Sequence, residues 1–165
     1  NDIYYKQCLS NLYSSTNTLA TIFNSIDKSI DYKYSLLCHS MGNRFLHKTL
    51  SDEEINVKFE ELILMAPDLD YKKYEEDHKL FSSLSDETTV FYHLKDKTLK
   101  MSKGLNKVER LGRLNKENIS EDIKFIDCTS LKDIDSFSDS IMRHLYFLTS
   151  NTVKKQIEKI LVKKK

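Results

Sequence analysis

The chain has 165 residues, of which 26 are Lys or Arg and 25 are Asp or Glu, so its formal net charge is +1 at pH 7. This near balance gives no support for nucleic-acid binding, which would require a basic stripe, and no apolar run approaches the length of a membrane-spanning helix. The length suffices for one domain, 1–165, with a substantial hydrophobic core. No cluster of residues has the spacing of metal ligands, so we predict neither a metal nor another cofactor.

The first residue and the cysteines indicate whether the sequence is a piece of a longer protein and in which compartment the protein is found. The first residue is Asn1 rather than Met, so we expect the sequence to be a piece of a longer protein. No secretory signal is visible. Cys8, Cys38 and Cys128 form neither a paired framework nor a C-x-x-C motif. These features favour reduced thiols and a cytoplasmic location.

The hydrophobic pattern predicts helices and strands that alternate along the chain. Apolar residues at steps of three and four predict an amphipathic helix from Asp2 to Ile26, loosened in its middle by Ser14-Ser15-Thr16. Apolar or β-branched runs predict strands at Tyr34–Cys38, Phe59–Ala66, Thr88–Leu94 and Ile123–Cys128. The further predicted helices are Met41–Leu50, Tyr71–Leu84, Thr98–Leu105 and Val153–Val162. A polar loop is predicted from Asn106 to Glu121, and it contains Arg110-Leu111-Gly112-Arg113.

This order of elements predicts the fold class: an α/β protein with a mostly parallel sheet between two layers of helices, that is, a three-layer α/β/α sandwich. In such sheets, functional groups gather beyond the carboxyl ends of the strands. Ser40 follows the first predicted strand, Asp68 and Asp70 the second, Asp96 the third, and His144 comes in the long loop after the fourth. We therefore expect these side chains to lie along one edge of the sheet.

The stretch Cys38-His39-Ser40-Met41-Gly42 matches the G-x-S-x-G nucleophile elbow, with Cys38 in the position of the first glycine. The motif predicts a sharp turn at Ser40, with strand and helix so close that the residues two before and two after the serine must be small. Gly42 meets this demand fully and Cys38 meets it partly. The helix N-terminus behind Ser40 favours negative charge, so the Met41 amide is predicted to contribute to an oxyanion hole. The alternative is an ordinary strand–turn–helix with a buried Cys38.

The order serine, acid, histidine is that of the α/β-hydrolases, and the sequence resembles the esterase-like α/β-hydrolase family known as domain of unknown function 900. Four segments carry the resemblance, which covers nearly the whole chain: Cys-His-Ser-Met-Gly-Asn, Met-Ala-Pro-Asp-Leu-Asp, Lys-Asp-Lys-Thr-Leu-Lys-Met-Ser and His-Leu-Tyr-Phe. The resemblance implies Ser40 as nucleophile, Asp96 as acid and His144 as base. It also implies that an N-terminal half of the same protein, absent from this sequence, supplies the first strands and the second oxyanion amide.

Each proposed site residue has a simpler interpretation. Asp96 lies between two lysines and could be an exposed turn residue, and His144 could be a capping or partly buried histidine. Asp68 and Asp70 are alternative acids, although lining the pocket is the role we favour for them. His39 is expected in the pocket wall, beside the nucleophile. For His47, His78 and His93 we expect structural roles.

The sequence therefore predicts a serine hydrolase that acts on a small-molecule ester or acyl substrate through an acyl-enzyme intermediate. Two alternatives remain open. The first is a non-catalytic α/β-hydrolase-like module used for interaction. The second is an acyltransferase that uses the same three residues with an alcohol in place of water.

Overall fold

A computed structural model describes residues 2–26, 33–114, 123–134 and 143–162. Its helices are α1 (Asp2–Tyr13), α2 (Thr16–Asn24), α3 (Met41–Asp52), α4 (Tyr71–Leu84), α5 (Lys97–Asn106), α6 (Tyr146–Thr149) and α7 (Asn151–Val162). Its strands are β1 (Ser35–His39), β2 (Phe59–Met65), β3 (Ser85–Tyr92) and β4 (Ile123–Asp127), and a short 3₁₀ turn spans Leu111–Arg113. None of the helices in this described part is long and apolar enough to cross a membrane.

The four strands form one parallel sheet in the order β1-β2-β3-β4. The register aligns His39 with Met65, Met65 with Phe91, and Phe91 with Ile126, so one row of residues runs across the carboxyl ends of all four strands. Because the strands are parallel, the loops that follow this row leave from the same edge of the sheet. The register thereby fixes where the candidate site can form.

Both faces of the sheet are covered at β2, which explains why the second half of this strand, residues 62–65, is a continuous apolar run. Leu62 and Leu64 point into one core cluster, with side chains from α2, α3 and α4. Ile63 and Met65 point into a second cluster, with side chains from α5, α6 and α7. The predicted three-layer α/β/α architecture is confirmed.

The expectation of one helix from Asp2 to Ile26 is wrong, because the chain forms α1 and α2 with a break between them. The hydroxyls of Ser14 and Ser15 both donate to the backbone oxygen of Asn11. Side-chain hydroxyls that bond to the backbone in this way compete with helical hydrogen bonds. The serine patch therefore separates two helices rather than loosening one.

The expectation of a polar loop after α5 is wrong for Arg110, Leu111 and Gly112, which are buried. The Gly112 amide donates to the Pro67 oxygen, and the Gly112 oxygen accepts from the His93 amide. A Cβ at Gly112 would lie 2.5 Å from the Pro67 nitrogen, so only glycine fits. This segment packs beneath the loops that follow β2 and β3, and it supports the edge where the site lies.

Candidate active site

Ser40 occupies the turn between β1 and α3 in a conformation that is rare for residues other than glycine, with φ 51° and ψ −121°. Three backbone hydrogen bonds hold it there. The Ser40 amide donates to the Met65 oxygen, and the Ser40 oxygen accepts from the amides of Asn43 and Asp68, each bond being 3.1 Å long. Strained backbone persists only where the surroundings determine it. These bonds tie the turn to β2, to α3 and to the loop after β2.

The prediction that close packing of strand and helix requires a small residue at Gly42 is wrong. A Cβ built at Gly42 would meet no heavy atom within 4 Å among the residues that the structure describes. The close approach of strand and helix predicted from the motif is therefore not observed on this side of Ser40. Cys38 is partly buried, and burial raises the pKa of its thiol to about 12, so the thiol stays protonated beside the serine.

The structure brings Ser40, His144 and Asp96 together, although 104 positions of sequence separate the first two. The His144 Nε2 lies 2.8 Å from the Ser40 Oγ. The His144 Nδ1 lies 2.7 Å from the Asp96 Oδ2. Three residues from three different connections thus form one continuous hydrogen-bond chain, with Ser40 at the end that borders a cavity.

Asp96 is positioned as the N-cap of α5, and its side chain is completely buried. Its Oδ1 accepts a hydrogen bond of 2.9 Å from the Leu99 amide, which leaves Oδ2 for His144. Asp96 is therefore not the exposed turn aspartate of the simpler interpretation. A carboxylate that only accepts requires the proton of neutral His144 on Nδ1, so Nε2 is left as an acceptor facing the Ser40 hydroxyl.

Tyr146 anchors the segment that carries His144, and the sequence reasoning assigned it no role. Its side chain is completely buried. The hydroxyl donates to the Phe91 oxygen at 2.8 Å and accepts from the Ala66 amide at 3.0 Å. These two backbone groups belong to the ends of β3 and β2, so Tyr146 fastens α6 to the edge of the sheet two residues after His144. A buried tyrosine needs partners for its hydroxyl, and this requirement was the available signal.

His39 packs against His144 at the side of the site. The centroids of the two rings are 4.7 Å apart, and the His39 ring also lies 4.8 Å from that of Phe147. The His39 Nε2 donates to the backbone oxygen of His144 at 3.1 Å. Burial lowers the pKa of His39, so the ring is neutral near pH 7 and adds no positive charge beside His144.

The two alternative acids have other partners. Asp68 accepts hydrogen bonds from Tyr5 and Ser102 and pairs with the buried Arg110 at 3.4 Å. Asp70 is the N-cap of α4 and accepts from the Lys72 amide at 3.0 Å. Asp96 is thus the residue of the three aspartates whose carboxylate reaches His144. Asp68 lines the cavity beside Ser40.

Of the remaining histidines, His47 and His78 lie away from this arrangement, and His93 lies beside Tyr146. His47 bonds to Asp77 on the face between α3 and α4, and His78 bonds to a backbone oxygen of its own helix. His93 accepts from the Lys95 amide and stacks on Tyr146. Within the described ranges, no group of three or more His, Cys, Asp or Glu residues could hold a metal ion.

Two cavities of about 480 Å³ lie near the carboxyl edge of the sheet. One borders Ser40 and Met41 and has mainly apolar walls contributed by α1 and α5. The other lies between α3 and α4 and is lined largely by charged side chains, among them Arg44, Lys48 and Asp77. Ser40 does not line this second cavity, so a molecule that reacts with the Ser40 hydroxyl would enter the first.

Comparison with known proteins gives a family match for almost the whole chain. The sequence model of a family described as alpha/beta hydrolase of unknown function (DUF900) matches residues 4–163. Searches of the curated proteins and of the solved structures found no match.

Proposed function

The chain belongs to the alpha/beta hydrolases of unknown function (DUF900), and from this membership together with the site geometry we propose that it is a serine hydrolase of carboxylic esters. The observation that carries the proposal is the hydrogen-bond chain from the Ser40 Oγ through His144 to the Asp96 carboxylate. The same three groups, arranged in this way, perform acyl transfer on several unrelated folds. A module used only for interaction would have no need of the strained Ser40 backbone or of a carboxylate buried against a histidine.

In the first half of the proposed reaction, the Ser40 Oγ attacks the ester carbonyl while the His144 Nε2 removes its proton. A bond forms between Oγ and the carbonyl carbon, and the carbonyl oxygen becomes an oxyanion. We assign to the Met41 amide, at the N-terminus of α3, the role of hydrogen-bond donor to this oxyanion. Collapse of the intermediate breaks the bond to the alcohol oxygen, which takes the proton from His144 as it leaves.

In the second half, water hydrolyses the acyl-enzyme by the same steps. His144 removes a proton from the water as it attacks the acyl carbon, and returns the proton to the Ser40 oxygen when the acid is released. Asp96 keeps the His144 proton on Nδ1 and stabilises the imidazolium that forms twice in each cycle. The neutral His39 ring does not oppose this charge, because it adds no positive charge 4.7 Å away.

Hydrolysis of p-nitrophenyl acetate by the purified protein and by a Ser40→Ala variant tests the proposal. The variant should lose turnover by a factor on the order of 10⁶, as enzymes of this mechanism do when the nucleophile is removed. Ser51→Ala serves as the matched control, because Ser51 lies exposed near the other end of α3. Unchanged turnover in Ser40→Ala would reject Ser40 as the nucleophile, and no turnover by the unaltered protein would reject ester hydrolysis of this substrate.

A further inference from the structure

The cavity beside Ser40 is a cleft between α1 and α5 with mainly apolar walls. The apolar residues Met41, Leu99, Met101 and Leu105 are among those that line it. Its volume of about 480 Å³ lies within the range of small-molecule sites. Because the Ser40 side chain forms part of the wall, whatever lies in the cleft is next to the reacting hydroxyl.

The polar side chains of Tyr5, Asp68 and Ser102, which line the cleft, form hydrogen bonds with one another. The Tyr5 hydroxyl donates to the Asp68 Oδ2, and the Ser102 hydroxyl donates to the Asp68 Oδ1. Arg110 adds an ion pair at 3.4 Å to the same carboxylate. The Asp68 charge is therefore balanced inside the protein, and an apolar chain can lie against Tyr5, Ser102 and Asp68 without taking a hydrogen-bond partner from them.

The outer wall of the cleft exposes apolar side chains to solvent. Met101 is 69% exposed and Leu105 is 43% exposed, and both lie on α5 along the cleft. Apolar surface that adjoins a reactive group is typical of ligand-binding grooves. A ligand chain in the cleft would remove this surface from water.

Resting on the proposed serine hydrolase, we propose that its substrates are esters with an extended apolar chain, and that this chain lies in the α1–α5 cleft, where the absence of a side chain at Gly104 leaves room for it. Gly104 lines the cleft, and a Cβ built there would meet no heavy atom within 4 Å among the described residues. A larger side chain at this position therefore fits the fold but occupies the space assigned to the substrate. Since Gly104 lies within α5, its replacement also favours the helix.

The first experiment measures kcat/KM for two series of esters with the unaltered protein. One series varies the acyl chain of p-nitrophenyl esters from acetate to decanoate, and the other varies the alcohol of acetate esters over the same lengths. Each methylene buried in the cleft should raise kcat/KM by about twofold to fourfold in one of the two series, which identifies the side of the ester that occupies the cleft. Values of kcat/KM that are independent of length in both series would overturn the proposal.

The second experiment repeats the responsive series with Gly104→Leu. The leucine should lower the ratio of kcat/KM for the longest chain to kcat/KM for the acetate by about tenfold or more, while Gly104→Ala should have a smaller effect. Lys100→Leu is the matched control, because it adds the same side chain at an exposed position of α5 that does not line the cleft. An unchanged length preference in Gly104→Leu would overturn the assignment of the cleft.

The two proposals fail in different ways. If acetate turnover survives Ser40→Ala, the serine hydrolase proposal fails and the assignment of the cleft fails with it. If acetate turnover requires Ser40 but chain length has no effect in either series, only the assignment of the cleft is overturned. The far-UV circular dichroism spectrum reports whether each Gly104 variant is folded.

Discussion

Replacement of Asp96 by asparagine separates the role of this residue in folding from its role in the proposed chemistry. Asp96 makes two side-chain hydrogen bonds, one through each oxygen: Oδ1 caps α5 and Oδ2 holds His144. In Asp96→Asn, the amide oxygen can still accept from the Leu99 amide, and asparagine is as good an N-cap as aspartate. We therefore expect the free energy of unfolding to change by about 1 kcal/mol or less.

The catalytic consequence is expected to be far larger. The amide nitrogen of the asparagine carries only hydrogens, so the His144 Nδ1 must become the acceptor and the proton moves to Nε2. An Nε2 that carries a proton cannot remove the proton of the Ser40 hydroxyl. The same change in serine proteases lowers kcat by about 10⁴-fold, which corresponds to about 5.4 kcal/mol of activation free energy.

The assay is steady-state hydrolysis of p-nitrophenyl acetate, combined with denaturant unfolding of the same preparations. Asp70→Asn is the matched control, because Asp70 also caps a helix after a strand but accepts from the Lys72 amide and not from His144. It should leave both turnover and stability nearly unchanged. Asp96→Asn turnover within tenfold of the unaltered protein would refute the reasoning, as would a large loss in Asp70→Asn.

Two further predictions concern the surroundings of His144. Tyr146→Phe should lower kcat about tenfold and the free energy of unfolding by about 1 kcal/mol. The loss of stability is small because the Ala66 amide still donates to the Phe91 oxygen at 3.1 Å when the tyrosine hydroxyl is lost. Unaltered kinetics would show that α6 is held by other contacts. Burial lowers the pKa of His39 and His93 below the usual value of 6.5. Below pH 6.5 the unfolded chain therefore binds protons that the folded chain does not, and the free energy of unfolding should fall. Urea unfolding at pH 7 and 5.5 measures the fall, which should be smaller when both histidines are glutamine.

The positions of Ser40 and Asp96 could be predicted because each follows a strand that has a clear local pattern. Parallel strands place the residues after them along one edge, and the observed register aligns the strand ends in a single row. The fold class depends on the same local patterns and on their alternation. For this reason the fold and the grouping of the candidate residues followed from short-range features of the sequence.

The supporting contacts could not be predicted, because they join residues that are distant in the sequence. Arg110 is polar in its local context, and its burial depends on the Asp68 carboxylate 42 positions earlier. The glycine required by close packing is Gly112 and not Gly42, since the crowding arises from the Pro67 backbone rather than from the elbow itself. Tyr146 likewise acts through bonds to β2 and β3 that no local pattern encodes.

The most direct test of the proposed mechanism is covalent reaction of the protein with a fluorophosphonate, followed by mass spectrometry of its peptides. The account predicts one adduct, on Ser40, because the Ser40 hydroxyl borders the cleft and its Oγ lies 2.8 Å from the His144 Nε2. The adduct should be absent from Ser40→Ala and should form far more slowly in Asp96→Asn. An adduct on another residue, or labelling that persists in Ser40→Ala, would contradict the account.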